Sequence, residues 1–330
     1  MARPLAPCAQ SLRLLLTPPT RTLRQPHLSP TVASQFAPHY RSSSTLPTSS
    51  GNQQTSPLEL QYLQFDAPAS VPENAPTIPP IVVLHGFLGS KQNNRSVCKR
   101  FAADLYTRVY ALDLRNHGDS PHVRTHDYLS LALDVEHFID TQIQEKHAVV
   151  LGHSMGAKTA MAVALRRPEL VDAVVAVDNA PIDAALSSDI PRYVDALRRI
   201  ERMGLKSVND AFAVLGKYET SVEIRRFLLT NAIFKSDGTV GFRVPLDILA
   251  RALDHVAEFP FNSNNDRFAG PALFVRGSRS HYVPDESIPT IGRFFPRFVL
   301  KDVDAGHWLI SERTTEFIDI VEDFLRNLKD

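Results

Sequence analysis

Residues 148–166 read Ala148-Val149-Val150-Leu151-Gly152-His153-Ser154-Met155-Gly156-Ala157-Lys158-Thr159-Ala160-Met161-Ala162-Val163-Ala164-Leu165-Arg166, which is a buried strand, a forced turn and a helix in immediate succession. The apolar run Ala148 to Leu151 suits a central parallel strand. The Ala-rich stretch Met155 to Arg166 suits a helix packed close against a sheet, and Pro168 ends it. Between them Gly152-His153-Ser154-Met155-Gly156 matches G-x-S-x-G, a serine between small residues on a sharp strand-to-helix turn. Side chains at 152 or 156 would collide with neighbouring backbone, so glycine lets the turn tighten until Ser154 projects into a pocket above the sheet. The helix that begins at Met155 aims its free N–H groups and its positive dipole end at the same place.

On both sides of this turn the chain alternates strand and helix, the mark of an α/β sheet joined by crossovers. Leu58 to Phe65 reads as an edge strand, Ile81 to Leu84 as a buried one, Lys99 to Leu105 as a short helix and Val109 to Leu112 as a strand. An amphipathic helix follows from Tyr128 to Glu145, and Ala173 to Val177 is the strand after the Ser154 helix. Residues 183–262 break the alternation with helical stretches such as Arg192 to Met203 and Val222 to Ile233 and no clear buried strand, so this insert reads as a helical cap. Strands at Ala272 to Val275 and Arg297 to Leu300 and a helix from Thr314 to Asn327 resume the pattern. The expected organisation is therefore a core of residues 56–182 and 263–330, with a mostly parallel central sheet, helices on both faces and the cap inserted.

A serine hydroxyl is a weak nucleophile at neutral pH, so a catalytic Ser154 requires a base, an acid that orients the base, and donors for an oxyanion. His307, in Asp304-Ala305-Gly306-His307-Trp308, falls in a loop between the last strand and the last helix, and satisfies the order serine, acid, histidine. The loop after Ala272 to Val275 reads Arg276-Gly277-Ser278-Arg279-Ser280-His281, where Ser280 cannot be the anion. Asp178 ends the strand beside that of Ser154, which places a carboxylate in the same crevice. Asp178 is the expected acid, with Asp285 and Asp304 as fallbacks. Backbone N–H groups of Phe87, in the loop His85-Gly86-Phe87, and of Met155 are the expected oxyanion donors.

Other residues invite blander readings. His85 and His153 support their turns, Asp113 to Gly118 is a turn held by side-chain hydrogen bonds, and Cys98 is a small apolar residue. The His117, Asp119, His122, His126 and Asp127 group matches no standard metal spacing. His281 to Asp285 spells H-x-x-x-D, treated as coincidence. No metal and no cofactor are called for.

Net charge is zero overall, yet residues 1–50 hold five arginines and no acid, which leaves 31 basic against 36 acidic residues beyond them. That balance argues against nucleic acid as a partner. With Cys8 near the start and Cys98 alone in the body, no internal disulfide is expected. Residues 1–55 are basic and rich in Ser, Thr and Pro, the composition of a mitochondrial transit segment, with removal near Tyr40 to Ser44. No stretch reaches the roughly 18 apolar residues that a membrane helix requires.

From about residue 58 to 330 the chain resembles the α/β-hydrolase superfamily. His85-Gly86-Phe87-Leu88-Gly89-Ser90-Lys91, the Asp113 to Gly118 turn, Gly152-His153-Ser154-Met155-Gly156, Val177-Asp178-Asn179-Ala180-Pro181 and Phe242-Arg243-Val244-Pro245-Leu246 carry the resemblance. They are similar to the mitochondrial branch that holds the abhydrolase-domain-eleven proteins and the fungal ethanol acetyltransferases. Ala157 departs from the glycine frequent there. The resemblance implies that the triad acid follows the strand after the nucleophile, at Asp178. It also implies acyl-enzyme chemistry on small-molecule esters or thioesters, and in the fungal members acetyl transfer from acetyl-CoA to an alcohol. An acyl-CoA would enter as substrate. A serine esterase or thioesterase is thus the first expectation, an alcohol acetyltransferase the second, and a non-catalytic binding member of the fold the third.

Overall fold

The computed structural model describes residues 56–183 and 189–328, and the leader expected at residues 1–55 lies outside them. A seven-stranded sheet runs through this region. Its strands are β1 (Tyr62–Phe65), β2 (Ile81–Leu84), β3 (Val109–Leu112), β4 (Ala148–His153), β5 (Val171–Val177), β8 (Pro271–Gly277) and β9 (Arg297–Val303). They lie in the order β1-β3-β2-β4-β5-β8-β9, with β1 antiparallel to β3 and every other pairing parallel. The core helices are α1 (Arg95–Asp104), α2 (Tyr128–Gln142), α3 (Met155–Arg166), α9 (Ile288–Phe294), the short α10 (Leu309–Glu312) and α11 (Thr314–Arg326).

Strand periodicity explains the layering. Val82, Leu84, Val150, Val174, Ala176 and Phe274 face one apolar cluster shared with α2, α3 and α9. Their neighbours Ile81, Val83, Val149, Leu151, Val175, Leu273 and Val275 face a second cluster shared with α1 and α11. Both faces are covered, which is why these strands read as continuous apolar runs. Each fully buried Val or Leu contributes about 1.5–3 kcal/mol of transfer free energy.

The insert is built of α4 (Asp189–Met203), α5 (Val208–Leu215), α6 (Val222–Leu229), α7 (Leu246–Arg251) and α8 (Leu253–Ala257), together with a two-stranded ribbon, β6 (Ala232–Phe234) and β7 (Val240–Phe242). The ribbon adds two short strands, of which β7 is buried, to a helical cap expected to hold no clear buried strand. The helix expected over Val222 to Ile233 stops at Leu229, where the Thr230 hydroxyl donates to the Phe227 carbonyl at 2.7 Å. The reversal is closed by Asp237, whose carboxylate accepts the Thr239 N–H, and by Gly238 at φ 76°. Helix α1 also starts four residues before the expected Lys99, because its buried face of Val97, Cys98, Phe101 and Ala102 extends upstream. Among the described residues no helix is long and apolar enough to cross a membrane.

From β2 the chain moves outward to β3, then returns past β2 to β4. That reversal opens a crevice above the carboxyl ends of β2 and β4.

Candidate active site

Four strand ends supply the residues of this crevice. Ser154 follows β4 with φ 55° and ψ −116°, a conformation that costs a non-glycine residue about 1–3 kcal/mol. It is held there because the Ser154 N–H donates to the Val177 carbonyl at 2.9 Å, while α3 begins at once behind it. The two glycines are required by close approach. A Cβ at Gly152 would lie 2.0 Å from the Gly156 carbonyl oxygen, and one at Gly156 would lie 2.5 Å from that of Leu84. Ser154 is 8% exposed, so its hydroxyl opens to one side only.

Asp178 follows β5, fully buried, with φ 52°. Its carboxylate accepts the Gly277 N–H at 3.0 Å on Oδ1, and on Oδ2 the Ser280 hydroxyl at 2.5 Å and His307 Nδ1–H at 2.6 Å. With Nδ1–H committed to Asp178, His307 Nε2 is left to accept the Ser154 hydroxyl, 3.0 Å away. His307 follows β9, and its ring stacks on Tyr282 with centroids 4.0 Å apart and planes 23° apart. His153 Nε2–H donates to the His307 carbonyl at 2.8 Å, so the residue beside the serine pins the backbone that carries the imidazole. Burial lowers the His153 pKa to about 4, aided by the adjacent His307 ring, which keeps this donor neutral. The two fallback acids are engaged elsewhere: Asp285 pairs with Arg276 at 2.5 Å, and Asp304 with Arg279 and Arg313.

Across the crevice, the turn after β2 presents Phe87. The Gly86 carbonyl accepts His85 Nδ1–H at 2.8 Å and the Gly89 N–H at 2.9 Å. Neither the Phe87 nor the Met155 N–H meets an acceptor among the described residues. His85 Nε2 accepts the Leu114 N–H at 3.0 Å, so this buried ring braces the turn and burial holds its pKa below the usual value. The Asp113 to Gly118 turn lies behind it. Asp113 accepts the backbone N–H of Lys91 at 2.6 Å, that of Asp119 at 2.8 Å, and the Lys91 ammonium. Burial works against the Lys91 charge, and Asp113 and Asp119 outweigh it and raise its pKa. His117 and His126 pack against Phe87 as buried neutral rings, His126 with its pKa pushed down to about 3 by burial. Among the described residues no three His, Cys, Asp or Glu side chains converge as metal ligands.

A cavity of about 740 Å³ opens over Ser154. Ile190, Ile224 and Phe227 of the insert face Phe87, Val97 and Trp308 of the core across it, and the Phe227 and Trp308 ring centroids are 4.6 Å apart. At the far end of the insert, Lys158 of α3 donates to the carbonyls of Ala257 and Glu258 at 2.8 and 3.0 Å, and Tyr128 donates to that of Val256 at 2.9 Å. Sequence reasoning missed the contributions of Ser280, Tyr282 and Lys158. A serine, a tyrosine and a lysine without a motif carry no signal of the partner that tertiary structure brings them.

The 3.0 Å contact lets His307 Nε2 take a proton from the Ser154 hydroxyl, and the Phe87 and Met155 N–H groups have no acceptor among the described residues. Comparison with known proteins agrees with the architecture. The alpha/beta hydrolase fold family matches over residues 79–213. The chain is 37% identical over 292 residues to a probable alcohol acetyltransferase of Saccharomyces cerevisiae, covering 83% of this chain and 85% of that protein. It is likewise 37% identical over 274 residues to the sn-1-specific diacylglycerol lipase ABHD11 of Mus musculus, covering 82% and 86%. Among solved structures, a marine microorganism esterase superposes with a TM-score of 0.73 at 31% identity, over 81% of this chain and 99% of that one.

Proposed function

The chain belongs to the α/β-hydrolase family that includes ABHD11 and the fungal alcohol acetyltransferases, and from that membership we propose that it is a serine hydrolase acting on small-molecule esters or thioesters through Ser154, His307 and Asp178. One observation carries the reading: the continuous hydrogen-bonded run from Ser154 Oγ through His307 to Asp178, with links of 3.0 and 2.6 Å. His307 Nε2 takes the serine proton as Oγ attacks the acyl carbonyl, and Asp178 steadies the imidazolium that forms. The Phe87 and Met155 N–H groups receive the oxyanion, each donor typically worth about 10²- to 10³-fold in rate. Collapse of the tetrahedral species expels the alkoxide or thiolate, which takes the proton from His307 and leaves acyl-Ser154.

The fate of that ester separates two activities. Water, deprotonated by His307, returns the free acid. An alcohol in the same position gives a new ester, a reading supported by the 37% identity to a probable alcohol acetyltransferase. Incubation with acetyl-CoA, with and without ethanol, followed by measurement of acetate and ethyl acetate, separates them. Acetate alone supports hydrolysis and ethyl acetate supports transfer. If neither product exceeds the level given by Ser154→Ala on acetyl-CoA or on p-nitrophenyl esters, the enzyme reading fails.

We also propose a mitochondrial address, supported by five arginines and no acid in residues 1–50. A fluorescent fusion of the full chain that fails to reach mitochondria, or a fusion lacking residues 1–55 that still does, overturns it.

A further inference from the structure

The turn that presents Phe87 is strained and is gripped from two sides. Gly89 N–H donates to the Gly86 carbonyl at 2.9 Å and closes a four-residue turn whose third residue, Leu88, sits at φ 60°. That position favours glycine or asparagine, and a leucine there costs about 1–2 kcal/mol. Such a conformation persists only where its surroundings over-determine it. Leu88 is 1% exposed, and its own N–H and C=O are both held. Its N–H donates to His117 Nε2 at 3.1 Å, from the core. Its carbonyl accepts from Asn231 Nδ2 at 2.7 Å, from the insert.

We propose that Asn231 is a positioning residue for the oxyanion donor at Phe87, acting through the backbone of Leu88, an inference that rests on the serine-hydrolase reading above. In one trans peptide the C=O and N–H point in opposite directions. Holding the Leu88 carbonyl from the insert therefore aims the Gly89 N–H the other way, at the Gly86 carbonyl. The Gly86 carbonyl, so directed, sets the opposite heading for the N–H of Phe87 in the same peptide plane. Two hydrogen bonds and two peptide planes thus link a side chain of the insert to a donor in the crevice. Asn231 is itself firmly seated. It is 3% exposed, and its carbonyl accepts the Arg243 N–H at 2.8 Å. The Arg243 guanidinium reaches Asp119 at 2.9 Å, and Asp119 binds Lys91 at 2.6 Å, five residues beyond Gly86. The insert is thereby coupled to the geometry that stabilises the transition state, in addition to walling the cavity.

The test is kcat per active site for Asn231→Ala on p-nitrophenyl acetate, with sites counted by complete fluorophosphonate labelling of Ser154. A purely structural role lowers the number of active sites and leaves the turnover of the remainder unchanged. The positioning role lowers kcat per site about tenfold or more with KM within about twofold, because a small displacement of an oxyanion donor is costly. Asn231→Asp keeps the shape and serves if the alanine variant does not fold. Protonated, its hydroxyl still donates to Leu88; ionised, it repels that carbonyl, so its kcat relative to wild type falls as pH rises. Turnover per site within twofold of wild type for Asn231→Ala, or a pH-independent ratio for Asn231→Asp, overturns the inference and leaves the enzyme reading standing. A wild-type chain with no Ser154-dependent turnover takes down both.

Discussion

The Ser280 hydroxyl donates to Asp178 Oδ2 at 2.5 Å, the same oxygen that holds His307 Nδ1 at 2.6 Å. A side chain at position 280 therefore reaches the space in which the imidazole is oriented. Asp178→Ser is expected to lower kcat about 10⁴-fold, since the imidazole loses its orienting anion. Adding Ser280→Asp supplies a carboxylate from the neighbouring strand end and should recover at least about tenfold of that loss. If the double variant is no faster than Asp178→Ser, position 280 cannot host the acid.

Removing the nucleophile or the base gives the largest loss. Ser154→Ala and His307→Gln should each reduce kcat by about 10⁶-fold, and combining them should cost little more, because members of such a unit act together. Thermal unfolding should change little on His307→Gln, since glutamine, at a position whose side chain is 15% exposed, keeps an N–H donor for Asp178. Additive losses in the double variant would contradict a shared mechanism.

Acid should unfold this protein through its buried histidines. His85, His117, His126 and His153 all have pKa values lowered by burial, to about 3 for His126 and about 4 for His153. Below pH 6.5 the unfolded chain takes up protons that the folded chain refuses. Stability is therefore full above pH 6.5 and declines as pH falls toward 4, by up to about 1.4 kcal/mol per pH unit for each histidine. Urea midpoints at pH 7, 6 and 5 should show this slope, and His126→Gln should reduce it by about one histidine's share. An unchanged slope in that variant removes His126 from the account.

Two Gly→Ala changes should differ in sign. At Gly156 the new Cβ would lie 2.5 Å from the Leu84 carbonyl oxygen and 2.7 Å from that of His85, both backbone atoms next to the Phe87 turn. That overpacking should cost at least about 1–3 kcal/mol and lower turnover. At Gly292, inside α9, the nearest atom would be a Phe298 ring carbon at an ordinary 3.4 Å. There alanine should stabilise by about 0.5–1 kcal/mol, as expected in a helix interior. Equal melting temperatures for the two variants would contradict the close fit around Gly156.

Much of the core was legible because its signals are local. Ile81 to Leu84, Val109 to Leu112 and Met155 to Arg166 have the same limits in sequence and structure, each a short apolar run or an Ala-rich stretch. Ser154, Asp178 and His307 were candidates because each follows a strand, and strand ends of a parallel sheet gather at one edge. The ribbon was not legible, since three-residue strands such as Ala232–Phe234 carry too little periodicity to compete with the preceding helix. Asn231 had no signal at all. Its partner, Leu88, is 143 positions away in the chain, and only tertiary structure makes them neighbours.

Lys158 projects from the helix behind Ser154, 2% exposed, and burial lowers its pKa to about 8. Near neutrality it is still a cation, and its ammonium donates to the carbonyls of Ala257 and Glu258, with the Tyr128 ring 5.5 Å from it. Displacing that end would take both carbonyls from a buried ammonium, at a penalty of about 1–3 kcal/mol or more. The insert is thus moored at its C-terminal end by buried hydrogen bonds, while its Phe227 ring rests against Trp308 of the core at the cavity wall.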